Sequence, residues 1–287
     1  MRNLILISAF SILIPSCNLI NPDEPIPAYI KGNDIVVNTT PFQGSGSHKI
    51  IDLYVFVDNQ AAGCHPSGST FPLLYEGEHS FVFSAGISVN GIAAARGIYP
   101  FYKSYSSTLT LTPGNITEIN PVFEYTDNAI FKWSENFDNP GSGIGFISTT
   151  GTGADMVFLP SGSPEIFEGN NSGVIQLNNS FPGFDVESSL SFTLPKLNKA
   201  IFLELNYKCT GQFEIGLTAN YALSGTQRWY AVTVNPKSTW NKLYVNLASG
   251  PAEHTNANDF KLYLKAGLSE GSSSAVFFFD NLKVIHN

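Results

Sequence analysis

Residues 200–219 read AIFLELNYKCTGQFEIGLTA. Ala200–Tyr207 and Gln212–Ala219 are rich in the aliphatic and aromatic residues that favour β-strands, and Gly211 lies in the turn between them. Similar short segments recur on both sides of this pair: Phe131–Phe137, Gly173–Leu177, Ser189–Thr193, Trp229–Val234, Trp240–Asn246, Phe260–Lys265 and Val276–Val284. About nine short strands separated by Gly, Asn, Pro and Ser, without helical periodicity, predict a jelly-roll β-sandwich over residues 127–287.

The preceding residues, 26–126, predict a second and smaller β-domain. Its strand-like segments are Asp34–Asn38, Ile50–Val57, His79–Phe83, Ser107–Leu111 and Thr117–Phe123. Asp58 and Asn59 supply a turn after the second of these segments, and Thr112–Asn115 predicts a hairpin between the last two. The sequence therefore predicts an all-β chain with two successive β-sandwich domains.

Four motifs of the first domain follow one another in the order of a known family: Val57–Gln60, Leu74–His79, Tyr99–Tyr102 and Leu109–Gly114. They resemble the PEGA-type domain, a small Ig-like β-sandwich of bacterial surfaces. The segment Ala85–Ala95 departs from that pattern. The resemblance implies a role in envelope scaffolding or attachment, and it implies no chemistry.

Two motifs of the second domain, Trp133–Asp138 and Val276–Val284, resemble the first and last strands of carbohydrate-binding-type jelly rolls, the galactose-binding-like sandwiches. In those modules the two strands are neighbours, and a structural Ca²⁺ lies where they meet. The resemblance makes Glu135 and Asp280, together with Asp138, candidate Ca²⁺ ligands, since this ion takes about six to eight oxygen ligands. Local hydrogen bonding at a strand edge is the alternative role for these carboxylates. No other cofactor is expected.

The N-terminus has the form of a lipoprotein signal. Residues 1–17 read MRNLILISAFSILIPSC, and the apolar run after Arg2 is about half as long as a membrane-spanning helix. Its end resembles the lipobox of bacterial lipoproteins, although Pro15 departs from that pattern. The resemblance implies cleavage before Cys17 and acylation of this residue, with residues 18–25 as a tether; an ordinary secretory signal is the alternative. Asp23 and Glu24 resemble the acidic residues that follow the cysteine in Bacteroidota surface lipoproteins, with an ordinary solvated linker as the alternative. Acyl chains would anchor the protein in the outer membrane, at the periplasmic face or the cell surface.

Composition and charge exclude one class of partner. Only 13% of the residues are charged, and the net charge of -8 is not accompanied by a basic cluster that could neutralise phosphates. Nucleic acid is therefore not expected as a partner. Cys64 and Cys209 fall in different predicted domains, so we expect two free thiols, although pairing in an oxidising periplasm stays open.

The sequence contains no recognisable catalytic motif. None of its five histidines lies in a His-Glu-x-x-His motif, and there is no Gly-x-Ser-x-Gly. Glu165, Glu168, Asp185 and Glu187 fall in loop-like stretches, and nothing in the sequence pairs them as the two carboxylates of a glycosidase. We therefore expect a protein that is not an enzyme.

Candidate ligand-binding residues are Arg228, Trp229, Tyr230 and Trp240, because aromatic rings pack against sugar C–H faces while arginine bonds hydroxyls. Adjacent strand residues point to opposite faces, so at most one of Trp229 and Tyr230 can face a given cleft. Core packing is the alternative role for these rings. The expected function is glycan binding or surface adhesion through the second domain. The alternative is an accessory component of an envelope assembly that binds another protein.

Overall fold

A computed structural model of the chain describes residues 24–151, 153–197 and 199–287. The predicted signal peptide and Cys17 lie outside these ranges. Apart from strands, the described residues form a 3-10 turn at Pro140–Ser142 and a short helix, α1 (Ser249–Glu253). Neither of these is long and apolar enough to cross a membrane.

Residues 24–126, which we call the N-terminal domain, form three sheets. Their strands are β1 (Ala28–Gly32), β2 (Val36–Asn38), β3 (Asp52–Val57), β4 (Gln60–Pro66), β5 (Thr70–Leu73), β6 (Gly77–Ser88), β7 (Arg96–Ile98), β8 (Tyr105–Leu111), β9 (Ile116–Ile119) and β10 (Val122–Glu124). One sheet has the order β5-β1-β9, and β2 pairs with β10 in a second. In the third sheet, β4 pairs with β3, β3 pairs with β6, and β6 also pairs with both β7 and β8.

Residues 127–287, the C-terminal domain, form two antiparallel sheets. The strands are β11 (Ile130–Glu135), β12 (Phe146–Ser148), β13 (Val157–Phe158), β14 (Gly173–Asn178), β15 (Gly183–Ser188), β16 (Ile201–Cys209), β17 (Phe213–Tyr221), β18 (Gly225–Val234), β19 (Lys237–Asn246), β20 (Asp259–Gly267) and β21 (Ser274–His286). The first sheet, here the β21 sheet, has the order β13-β14-β21-β16-β19, with β11 also paired to β21. The second, here the β18 sheet, has the order β12-β15-β20-β17-β18.

The predicted all-β fold is confirmed, with two corrections in detail. Thr112–Asn115 does turn the chain, but β8 pairs with β6 and β9 pairs with β1, so this turn joins two sheets and is not a hairpin. Ser189–Thr193 is not a strand; the neighbouring segment Gly183–Ser188 is. By contrast, Asp58 and Asn59 form the predicted turn between β3 and β4, and both have the positive φ that tight hairpin turns require.

Strand β16 shows how the two domains share their interior. Its Leu203 and Leu205 pack into the core between the β21 and β18 sheets, whereas Phe202, on the opposite face, packs among the aromatic residues of the N-terminal domain. Tyr244 of β19 and Ile285 of β21 join Phe202 in that second core. Both faces of the β21 sheet are therefore covered, which explains why nearly every residue of β16 is buried.

A buried charged cluster lies on the face of the β21 sheet that meets the N-terminal domain. The Oε2 atom of Glu204 is 2.8 Å from Nζ of Lys242, and its Oε1 accepts hydrogen bonds from the Tyr99 and Tyr125 hydroxyls at 2.7 and 2.8 Å. Burial alone would raise the pKa of Glu204, but the charges of Lys242 and Lys283 outweigh it and hold the pKa below its ordinary value. Burial lowers the pKa of Lys283 to about 8. We call Glu204, Lys242 and Lys283 the buried ion cluster.

Hydrogen bonds to the main chain fix the orientation of the two domains. Val89 forms an isolated parallel bridge with Tyr244. The next residue, Asn90, donates its backbone N–H to the Tyr244 carbonyl at 2.8 Å and accepts the Asn246 N–H through its side-chain oxygen, also at 2.8 Å. The Lys49 N–H donates to the Tyr244 hydroxyl at 3.1 Å. These bonds hold the segment after β6 against the edge of the β21 sheet.

Candidate functional site

The outer face of the β18 sheet carries a group of charged and aromatic side chains. On β17, Phe213, Ile215, Leu217 and Ala219 are buried in the core, so the residues between them face outward. The strand register places outward-facing Thr218 beside Arg228 of β18, and Gly216 between Tyr230 of β18 and Tyr263 of β20. Asp185 and Glu187 of β15 lie on the same face, because Glu187 is paired with Tyr263.

Arg228 joins these strands through a network of charge-assisted hydrogen bonds. Its guanidinium donates to both carboxylate oxygens of Asp185 at 2.6 and 2.7 Å and to Glu187 at 3.1 Å. The same guanidinium lies over the Tyr263 ring, 4.6 Å from its centroid. The Thr218 hydroxyl donates to Glu187 at 2.5 Å. Asp185, Glu187, Thr218, Arg228 and Tyr263 are the Arg228 cluster.

The Arg228 cluster holds its charged groups in fixed protonation states. Burial would raise the pKa of Asp185, but hydrogen bonds from Arg228 and Thr149 outweigh it and the pKa lies below its ordinary value. The hydrogen bonds that Arg228 donates to Asp185 are the main reason that the pKa of Arg228 is raised. Burial raises the pKa of the Tyr263 hydroxyl. At neutral pH the cluster therefore presents an ionised carboxylate and a guanidinium that are already oriented.

The same face has an exposed aromatic ring and an adjoining cleft. Tyr230 is two positions from Arg228 on β18 and is 53% exposed. A cleft of about 320 Å³ begins next to the Arg228 cluster and is lined by Glu214, Thr233 and Lys265 among others. Lys265 is paired in register with both Asp185 and Glu214, so the cleft and the cluster form one continuous surface. Sugar rings stack on exposed aromatic faces of this kind while carboxylates and guanidinium groups bond hydroxyls.

The structure separates the four candidate ligand residues predicted from the sequence. Arg228 and Tyr230 lie on the outer face of the β18 sheet, whereas Trp229 points the other way, packs against the core and donates its ring N–H to Glu253 at 3.1 Å. Trp240 lies on the β21 sheet and packs against Phe278 and other rings. The two tryptophans therefore have packing roles, and the face is built around Arg228.

The three candidate Ca²⁺ ligands are not gathered into one ligand set. Glu135 accepts the backbone N–H groups of Phe137 and Gly145, and Asp138 accepts that of Asn170. Asp280 accepts the hydroxyl of a buried serine at 2.6 Å and the backbone N–H of the residue after it at 2.7 Å. Within the described ranges, no three His, Cys, Asp or Glu side chains are grouped so that they could hold a metal ion. These carboxylates instead tie loops to the first and last strands.

Asp280 is the most perturbed of these three carboxylates. It is 1% exposed, and burial raises its pKa to about 7. Asp138 contributes in the same direction through like-charge repulsion, while the hydrogen bond from the Ser172 hydroxyl acts against it. The side chain therefore takes up a proton near neutral pH.

Asp185 and Glu187 are the functional candidates that the sequence reasoning did not pair. They lie two positions apart on one strand face and share Arg228 as a partner. The alternation of Phe184, Asp185, Val186 and Glu187 is the signal that could have identified a strand with both carboxylates outward. Glu165, in contrast, forms an ion pair with Lys208 of β16 and has no part in the Arg228 cluster.

Cys64 and Cys209 are both free thiols in the structure. Cys64 lies on β4 of the N-terminal domain and is exposed, whereas Cys209 is buried at the end of β16. Burial raises the pKa of Cys209 to about 11, which keeps this thiol protonated and unreactive.

No protein-family model and no curated protein matches the chain. Among solved structures, it is similar to the C-terminal family 22 carbohydrate-binding module of Clostridium thermocellum, with 14% identity, a TM-score of 0.37 and coverage of 55% of this chain and 95% of that one. It is also similar to a xylan-binding domain from Paenibacillus barcinonensis, with 13% identity, a TM-score of 0.38 and coverage of 54% and 99%.

A third similar structure is a family 11 carbohydrate-binding module from Clostridium thermocellum, determined in complex with a mixed-linked tetrasaccharide. Its identity to this chain is 12%, its TM-score is 0.37, and the match covers 53% of this chain and 94% of that one. These likenesses assign no ligand to the chain.

Proposed function

We propose that the chain is a glycan-binding protein and that the outer face of the β18 sheet is its binding surface. The observation that carries this proposal is the exposed ring of Tyr230 beside the oriented charges of Arg228, Asp185 and Glu187. One sugar ring placed on Tyr230 would have its hydroxyls within reach of groups two residues away on the same strand, roughly 7 Å along β18.

The Arg228 cluster is suited to hydroxyl recognition because it is organised before any ligand arrives. The side chains of Asp185 and Glu187 are 14% and 12% exposed, and that of Arg228 is 33% exposed, so each presents part of its surface to solvent. Each Asp185 oxygen has a second lone pair available beyond its bond to Arg228, whereas Oε1 of Glu187 already accepts from both Arg228 and Thr218. Binding would therefore cost little side-chain ordering, which is the usual advantage of a rigid site.

The geometry favours binding over hydrolysis. A glycosidase needs one carboxyl group that stays protonated to protonate the leaving oxygen. Asp185 is held ionised by Arg228, which keeps its pKa below the ordinary value. The same guanidinium also bonds Glu187, so both carboxylates are engaged as acceptors. This arrangement supports a role in recognition.

The proposal includes the membrane anchor that the N-terminal sequence predicts. Acylation of Cys17 would hold the chain at the outer membrane, and residues 18–25 would separate the lipid from β1. The N-terminal domain would then be a spacer that carries the binding domain away from the bilayer. Incorporation of labelled palmitate into the wild type, and its loss in Cys17→Ala, is the direct measurement.

A glycan-array screen of the protein without its first 17 residues tests the binding proposal. The ligands that it identifies are then titrated against Tyr230→Ala and Arg228→Lys. We expect Tyr230→Ala to weaken binding by roughly tenfold, because a stacked aromatic ring contributes about 1 kcal/mol or more. Phe181→Ala is the matched control, since Phe181 is a 47% exposed aromatic residue of the same domain outside this face.

Two results would contradict the proposal. One is an array on which no glycan is bound. The other is a bound glycan whose affinity is the same for wild type, Tyr230→Ala and Arg228→Lys. In that second case the protein would bind sugar through another surface.

A further inference from the structure

A second concave feature, the interdomain cleft, lies between the N-terminal domain and the β18–β19 edge of the C-terminal domain. Its volume is about 500 Å³. It is lined on the N-terminal side by Lys49, Ser88 and residues 90–93. The opposite side includes Tyr230, Lys237 and Asn241. Of these lining residues only Tyr230 was a ligand candidate from the sequence, and the Arg228 cluster does not contribute to the cleft.

The cleft has a charge opposite to that of the whole protein. The chain contains 23 Asp and Glu against 15 Lys and Arg, yet the lining residues include three lysines and no carboxylate. Lys242 is neutralised by Glu204 at 2.8 Å. For Lys49 and Lys237, in the part of the chain that the structure describes, no carboxylate oxygen lies within 4.0 Å.

The ammonium groups of Lys49 and Lys237, which have no carboxylate partner among the described residues, belong to residues that line the same cleft. Nζ of Lys49 donates to the Asn241 side-chain oxygen at 2.5 Å, which aims it across the domain boundary. Burial and the nearby charge of Lys237 lower the pKa of Lys49. An anion bound between the two ammonium groups would offset the repulsion between them. The side-chain amides of the asparagines that line the cleft could donate hydrogen bonds to it.

The cleft is preformed by the contacts that dock the domains. Asn90 and Tyr244 line it and are also joined by the backbone hydrogen bond that links the two domains. Lys49 is fixed at its backbone by the Tyr244 hydroxyl, 3.1 Å away. Two cationic side chains from different domains therefore face one pocket without any rearrangement.

Tyr230 connects this cleft to the proposed glycan surface. Tyr230 is one of the residues that line the interdomain cleft, and its strand position places it two residues from Arg228 on the outer face. A saccharide chain lying on that face can therefore extend past Tyr230 to the two lysines. We propose that the interdomain cleft binds the carboxylate or sulfate group of an acidic saccharide, an inference that rests on the proposed glycan-binding function.

The test compares charged and neutral forms of one ligand by isothermal titration calorimetry, with the protein lacking its first 17 residues. The probes are tetragalacturonate, its methyl-esterified neutral form, a sulfated chondroitin tetrasaccharide and inorganic phosphate. The cleft variant is Lys49→Gln with Lys237→Gln. The matched control, Lys132→Gln with Lys199→Gln, removes the same charge from exposed positions outside the cleft.

We expect at least one acidic oligosaccharide to bind more tightly than the neutral ester, with an affinity that falls as salt is raised. The cleft variant should lose about tenfold or more of that affinity, since each charge-assisted hydrogen bond contributes at least that factor. The control variant should stay within about twofold of the wild type, because the charges that it removes are largely screened.

Three outcomes would overturn the inference, and they differ from failure of the proposed function. Equal binding of acidic and neutral probes, lost in Arg228→Lys but unchanged in the cleft variant, would retain the outer face and exclude the cleft. Phosphate binding as tight as that of the oligosaccharides would exclude a saccharide site. No binding of any acidic probe would exclude the cleft as an anion site. Binding lost only in the cleft variant would support the cleft and contradict the role of the outer face.

Discussion

Replacing Glu204 with glutamine removes the negative charge from the buried ion cluster while keeping the size of the side chain. Glu204 is 0% exposed, and the side chain of its partner Lys242 is 2% exposed. Lys283, which also faces this carboxylate, is 2% exposed. The substitution therefore leaves two ammonium groups in the protein interior without their counter-charge.

The expected loss follows from that geometry. Removing one partner of a buried ion pair typically costs about 3–5 kcal/mol, because the remaining charge stays desolvated. For a chain of this size the loss corresponds to a decrease in Tm of roughly 6–20 °C. Burial already lowers the pKa of Lys283 to about 8, so above that pH its ammonium is neutral in the folded state. The cost of Glu204→Gln should consequently be smaller at pH 9 than at pH 6.

Urea unfolding followed by tryptophan fluorescence measures the free energy, and differential scanning fluorimetry measures Tm. Glu78→Gln, which removes an exposed carboxylate, is the matched control and should change stability by less than about 0.5 kcal/mol. The double variant Glu204→Gln with Lys242→Met should be more stable than the sum of the two single losses predicts. A loss below about 1 kcal/mol for Glu204→Gln, with additive single effects, would refute the reasoning.

Two further predictions concern the C-terminal domain. Asp280→Asn should gain stability relative to wild type, on the order of 2 kcal/mol, as the pH rises from 5 to 8. Because the pKa of Asp280 is raised to about 7, the stability that this side chain adds to the folded wild type is complete below pH ~4 and is lost as the carboxylate ionises. Parallel Tm curves for the two proteins would contradict this. Gly216→Ala should destabilise the fold by about 1–3 kcal/mol, because an added Cβ would overlap a backbone carbonyl oxygen and the Tyr263 ring. Gly97→Ala, whose Cβ would meet nothing within 4 Å, is its control in the same urea titration, and equal stability of the two variants would exclude the overlap.

The sequence predicted strands rich in apolar and β-branched residues, including the alternating strands β8 and β17, and missed β15, whose outward side chains are charged. β16 and β17 were predicted because apolar residues occupy at least every second position of each strand. β15 was missed because Asp185 and Glu187 are charged and follow a glycine, which together favour a loop. The charged residues favoured a loop, although the period-two alternation typical of a strand was present in the same segment.

The candidate site was only partly predictable for a related reason. The alternation rule correctly required that Trp229 and Tyr230 face opposite sides of β18. This rule could not show which of the two rings faces solvent, because that depends on which side of the β18 sheet packs against the β21 sheet. The Arg228–Asp185 pair joins residues 43 positions apart, and it forms only because the strand order is β15-β20-β17-β18. Strand order is a property of the tertiary structure and cannot be read from local periodicity.

The position of β21 has a consequence for how the chain is made. β21 is the last of the strands in the sequence, yet it pairs with β11 and β14 along one edge and with β16 along the other. Its Ile285 also fills the core of the N-terminal domain. While the ribosome is still translating residues before β21, neither interior can close, and the apolar faces of earlier strands stay exposed. Both interiors therefore depend on β21 for their closure, and the two domains complete their folding together.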